Sequence, residues 1–129
     1  MRRKRFKRVK NGYLDKITGL IWSRESGPPM SQIEATKWCA GMGLGWRMPT
    51  VKEMIAIIDY SICKPATELP DTSYHRQYWT STRIVSVHSH NDENFKSIWT
   101  VDFEDGAVNH YCTEYMHRHY VRAVRGVTP

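Results

Sequence analysis

Long apolar runs are missing from this 129-residue chain, where no stretch approaches the roughly 18 consecutive apolar residues of a membrane-spanning helix. Cysteine is scarce. The three present, Cys39, Cys63 and Cys112, cannot all pair, and their spacing suits neither a zinc ribbon nor a Cys-x-x-Cys redox motif. They read as buried or incidental free thiols, with one disulfide still open. A secretory leader is also missing, because the basic start runs into Asn11, Gly12, Tyr13, Leu14 and Asp15 instead of an apolar segment. The expectation is therefore an intracellular or phage-associated protein if the chain is complete, or a secreted or surface protein if a leader has been removed. Neither a nucleophile elbow nor a phosphate-binding glycine loop occurs, and there is no internal repeat.

Aromatic residues, by contrast, are plentiful: five Trp, seven Tyr and three Phe give far more apolar surface than a disordered chain carries. With 40% hydrophobic and 25% charged residues, the composition fits a single globular domain. The net charge of +6 is unevenly placed. Seven basic residues and no acid fall in residues 1–10, leaving 12 basic against 13 acidic residues from Asn11 onward. The chain divides accordingly into a basic N-terminal arm, 1–10, and one near-neutral domain, 11–129. Any polyanion contact is expected at Arg2, Arg3, Lys4, Arg5, Lys7 and Arg8, where binding would fall steeply with salt. The alternative is a solvated arm, whose Phe6 and Val9 would let its second half form an edge strand leading into Tyr13.

Local signals place the elements. Ser31 with Glu34, and Thr50 with Glu53, have the spacing of capping boxes. They predict helices over about Gln32–Met42, with Ile33, Trp38 and Cys39 inward, and about Val51–Asp59, with Met54, Ile57 and Ile58 inward. The second half alternates with period two: Trp99, Val101 and Phe103 point one way and Thr100 and Asp102 the other. Asp105–Gly106 then marks a hairpin before a strand over Ala107–Tyr111. A last strand is expected over about His119–Val124. Residues 61–77 and 83–95 read as long ordered loops.

Several runs resemble one known family in the same order. They are Asp15 Lys16 Ile17 Thr18 Gly19 Leu20 Ile21 Trp22; Gly45 Trp46 Arg47 Met48 Pro49 Thr50 Val51 Lys52 Glu53 Met54; Tyr78 Trp79 Thr80 Ser81 Thr82; Trp99 x Val101 x Phe103 with Gly106; and Tyr120 Val121 Arg122 Ala123 Val124 Arg125 Gly126. Together they resemble the C-terminal domain family of the bacterial collagen-like adhesin Lcl, over about Arg5 to Gly126. The resemblance implies an α+β, C-type-lectin-like fold, with two helices packed on a small twisted antiparallel sheet and long loops presenting a ligand. For the adhesin it implies binding of sulfated polysaccharides. Ala123 stands where many members have a cysteine, one that the resemblance implies would pair with an earlier cysteine in a secreted lectin-like fold. Of the motif residues, Trp22, Trp46, Trp79 and Trp99 read as an aromatic core, and Pro49 sets the start of the second helix. Arg47, Arg122 and Arg125 read as partners of Glu53, Asp102 or backbone carbonyls.

All six histidines fall between residues 75 and 119. His88 with His90, and His117 with His119, have the i, i+2 spacing that suits a metal on one strand face, although no recognised metal motif is present and such histidines are more often exposed or hydrogen-bonded. The surrounding mixture of His, Asn and Tyr resembles an adaptable binding surface. Candidate ligand contacts are His88, His90, Asn91, Asn94, Asn109, His110, Tyr111, Tyr115 and His117, set against a merely solvated face. The leading reading is a non-enzymatic recognition module for a glycan, sulfated polysaccharide or protein, with no cofactor and with oligomerisation open. An assembly component docking its arm to an anionic partner is the second reading. A third is an oxidoreductase, since Trp46–Thr50 with Glu53, and Val121–Arg125, also resemble formylglycine-generating enzymes; their copper-binding cysteine pair has no match here.

Overall fold

A computed structural model describes residues 4–84, 97–112 and 117–126, with nine strands and two helices in a mixed α+β arrangement. The strands form two sheets instead of the expected single one. Strands β1 (Phe6–Val9), β2 (Gly12–Asp15), β3 (Leu20–Ser23) and β9 (Val124–Gly126) make a four-stranded antiparallel sheet in the order β1-β2-β3-β9. Strands β4 (Gly27–Met30), β5 (Tyr78–Ile84), β6 (Ser97–Asp102), β7 (Ala107–Cys112) and β8 (His119–Val121) make a second sheet, ordered β4-β8-β5-β6-β7. This second sheet is not wholly antiparallel, because β5 and β8 run parallel with Tyr78 opposite Tyr120.

Both helices begin where the sequence places them and end sooner. In α1 (Gln32–Ala40) the Ser31 hydroxyl accepts the Glu34 amide while the Glu34 carboxylate accepts the Ser31 amide. Ala35 and Cys39, four residues apart, form its buried face. Ile33 lies off that face and is 61% exposed, so the inward placement expected for it is corrected. Trp38 is half-buried. In α2 (Val51–Ala56) Thr50 and Glu53 complete the second box. The helix stops because the Asp59 amide bonds instead to the Ala66 carbonyl, 2.8 Å away, although Ile57 remains buried beyond its end.

The pairing register decides what each side of the five-stranded sheet covers. Tyr78 stands opposite Val101, and these residues share a buried cluster with Phe103, Met54 and Ile57, so α2 covers that face. Trp79, Ile98 and Val121 point to the other face, into a cluster with Met30, Ala35, Cys39, Trp46 and Ala123, where α1 packs. Trp99 departs from expectation: it is half-buried, its ring standing edge-on to His110 at 5.6 Å. The hairpin signal is met by Gly106, whose φ of 90° suits glycine and whose missing Cβ leaves room for Tyr60 and Ile58.

The expected last strand is two strands in different sheets. Between β8 and β9 the chain crosses at Arg122 and Ala123, and Ala123 exchanges bonds with Ser23 through both its amide and its carbonyl. Arg122 is 1% exposed and fixes the crossing. Its guanidinium donates to the carbonyls of Ser23 (2.8 Å), Arg24 (3.2 Å) and Asp71 (3.2 Å) and to the Thr72 hydroxyl (3.2 Å). The segment 61–77 is an ordered loop, as read from sequence, anchored by buried Ala66, Thr67 and Leu69.

The basic segment joins the fold. Phe6 is buried, and Phe6–Val9 pairs along its length with Gly12–Asp15. Arg5 forms a two-pronged ion pair with the fully buried Asp15, at 2.8 Å on each oxygen.

Candidate functional site

Strand β7 is the outermost strand of the five-stranded sheet, and its side chains alternate between two faces. Asn109 stands opposite Thr100 and Tyr111 opposite Ile98, on the face that packs toward α1; His110 stands opposite Trp99, on the other. Of the candidate ligand contacts, then, Asn109 and Tyr111 share a face and His110 does not. His117 joins the first group, its ring 5.1 Å from that of Tyr111. His88, His90, Asn91, Asn94 and Tyr115 lie outside the described residues.

Gln77, just before β5, holds this group together. It is 9% exposed. Its side-chain carbonyl accepts from the Thr100 hydroxyl (2.5 Å) and the Asn109 amide (3.2 Å), while its Nε2 donates to the Tyr111 hydroxyl (2.7 Å). Its backbone carbonyl accepts the Tyr120 amide at 2.8 Å, locking the residue to β8. The Tyr111 hydroxyl and the Asn109 amide are thus held in place before any ligand arrives. Sequence reasoning missed Gln77, since a single glutamine outside any periodic run gives no signal.

Beneath this surface lies His119. Its ring is 4.5 Å from that of Tyr111, edge-on to Trp79 at 4.7 Å, and nearly parallel to His117 at 6.4 Å and 6°. It is 8% exposed, and both ring nitrogens are buried without a hydrogen-bond partner. Burial first, and the positive charges of His117 and Arg76 after it, push its pKa down to about 4. The ring is therefore neutral at pH 7. Trp79 is held from the other side, its indole donating to the Met30 carbonyl at 2.8 Å.

The remaining motif residues are structural. Trp22 and Trp79 are fully buried, and Trp46 lies under Arg125, whose guanidinium sits 5.7 Å from the ring centre. Arg47 pairs with Glu53 through two contacts of 2.7 Å, as expected. Those bonds, with further ones from the Thr50 backbone and hydroxyl, outweigh burial and hold the Glu53 carboxyl below its usual pKa. Buried Pro49 precedes the Thr50 cap and accepts the Ser81 amide through its carbonyl. Arg122 meets backbone carbonyls, one of the partner types expected for it.

Of the candidate polyanion contacts, Arg2 and Arg3 lie outside the described residues. Arg5 is committed to Asp15, whereas Lys4, Lys7 and Arg8 are exposed. Lys4 and Arg5 border a groove of about 490 Å³ with Lys16, Ile17, Ile58 and Tyr60. A second groove, of about 630 Å³, runs between Trp38, Met42, Lys37, Arg24 and Asn11, and none of the candidate ligand or polyanion contacts lines it. Among the described residues no three His, Cys, Asp or Glu side chains converge as a metal cluster, and no helix is long and apolar enough to cross a membrane.

The profile of the Lcl C-terminal domain matches residues 11–125, nearly nine tenths of the chain. The chain belongs to the Lcl C-terminal domain family. That membership suggests an adhesin-like domain, and the match covers the motif order from Asp15 to Arg125. No curated protein matches the chain. Ala123 lies in the same buried cluster as Cys39. The Cys39 Sγ is 4.0 Å from the Arg122 carbonyl, and burial pushes the thiol up to about 12.

Proposed function

We propose that this Lcl-type domain is a non-enzymatic recognition module of C-type-lectin-like kind. Its ligand, a glycan, sulfated polysaccharide or protein, docks on the face formed by Asn109, Tyr111 and His117. The observation that supports this most is the Gln77 network, which presents one hydroxyl and one amide beside an aromatic surface in fixed geometry. Such pre-arrangement lowers the ordering cost that weakens binding by long polar side chains. The non-catalytic reading is further supported by Cys39, whose buried, protonated thiol is unsuited to redox chemistry or metal ligation.

The test is binding to an array of neutral and sulfated glycans at two salt concentrations, using wild type, Tyr111→Phe and Asn109→Ala. Salt-resistant capture that falls at least tenfold in both variants, measured at a temperature where each shows a native thermal transition, is expected. Capture indifferent to both variants overturns the assignment of the face.

A second reading, docking of an anionic polymer at the N-terminal strand, is supported by the exposed Lys4, Lys7 and Arg8 beside the Lys16 groove. It predicts salt-sensitive retention on heparin that is lost when Lys4, Lys7 and Arg8 are changed to Gln.

A further inference from the structure

The geometry points to a two-imidazole site for a late first-row divalent cation, Cu²⁺ foremost, at His117 and His119, with water completing the coordination. The site shares His117 with the proposed ligand face but does not depend on which ligand docks there.

Buried polar atoms are nearly always hydrogen-bonded, and both nitrogens of His119 are buried and have no partner. The residue is more than nine tenths buried, so the shortfall is not made up by exposure. Its ring is fixed on two sides by Trp79 and Tyr111, and the parallel His117 ring closes a third. The Tyr111 hydroxyl accepts from Gln77, which holds the phenol ring in place beside the imidazoles.

The separation suits one shared ion. A cation about 2.0 Å from one nitrogen of each ring holds the ring centres about 5 to 6 Å apart, depending on the angle at the metal. Because the rings are nearly parallel at 6.4 Å, the half-buried His117 ring must both close by about 1 Å and turn until one of its nitrogens faces the ion held by His119.

The surroundings also choose the ion. The charged neighbours acting on His119 are His117 and Arg76, and both oppose a further positive charge. Attraction by charge alone is thus weak, and affinity for neutral nitrogen must decide. That favours Cu²⁺, with Ni²⁺ and Zn²⁺ after it. Hard ions such as Ca²⁺ and Mg²⁺, which require oxygen ligands, are rejected.

The experiment titrates Cu²⁺ into the full chain by calorimetry and records its electron paramagnetic resonance spectrum. Wild type, His117→Asn and the double variant His88→Asn/His90→Asn are compared. One equivalent of Cu²⁺ with a two-nitrogen signature is expected. Affinity should fall at least tenfold in His117→Asn, hold in the double variant, and be unaffected by excess Ca²⁺. His117 is the decisive position because, unlike His119, it is only half-buried and its replacement leaves the core packed. Binding retained in His117→Asn, lost only in the double variant, or absent from wild type overturns the proposal.

Discussion

Replacing Arg122 removes the shared donor of three backbone carbonyls and one hydroxyl drawn from segments far apart in the chain. Each carbonyl left unpaired in a buried site costs about 1 to 3 kcal/mol. Arg122→Met should therefore lower unfolding free energy by about 3 kcal/mol or more, and Arg122→Lys should recover only part, since an ammonium lacks the planar fork. Urea denaturation of both variants checks this. His119 makes a different claim. Its folded pKa of about 4 lies below the ordinary histidine value, so between those values the unfolded chain binds the proton and the folded chain does not. Its contribution is complete above about pH 6.5 and is lost as pH falls toward 4. Stability should drop by about 2 kcal/mol from pH 7 to pH 5, with the slope flattened in His119→Gln as read by urea midpoints. Asp15 behaves otherwise: burial would raise its pKa, but bonds from Arg5, Thr18 and Ile17 outweigh it, so its contribution persists to lower pH.

At the scale of elements, the edge strand β1 changes how the basic segment must be tested. Deleting residues 2–8 would remove the Arg5–Asp15 pair and buried Phe6 along with the charges, so lost binding would not separate a missing contact from a missing strand. Substituting Lys7 and Arg8 by Gln should leave the melting temperature within about 2 °C, whereas Phe6→Ser, which empties a buried site, should lower it by 5 °C or more by calorimetry. The two capping boxes were legible because each is made by residues three apart. The break between β8 and β9 was not, because it depends on Ser23, 99 residues from Arg122. The candidate site was legible in part for the same reason. Residue type picked out Asn109 and Tyr111, but only the pairing register separates them from His110. Ile33 was misplaced because Ala35 and Cys39, smaller and less conspicuous, define the buried face of α1.

For the whole molecule, the four-stranded sheet gathers the two ends of the chain. Phe6 pairs with Asp15, and Gly126 pairs with Leu20, so both ends leave the sheet on the side of the turn that joins β2 to β3. A load applied between residues 6 and 126 therefore does not shear the strands past one another. It draws β1 from β2 and β9 from β3 one rung at a time, like opening a zip from its pull. A module tethered at both ends would yield early and gradually under flow, acting as an extensible link while the second sheet, with its buried Trp79, stays folded behind it.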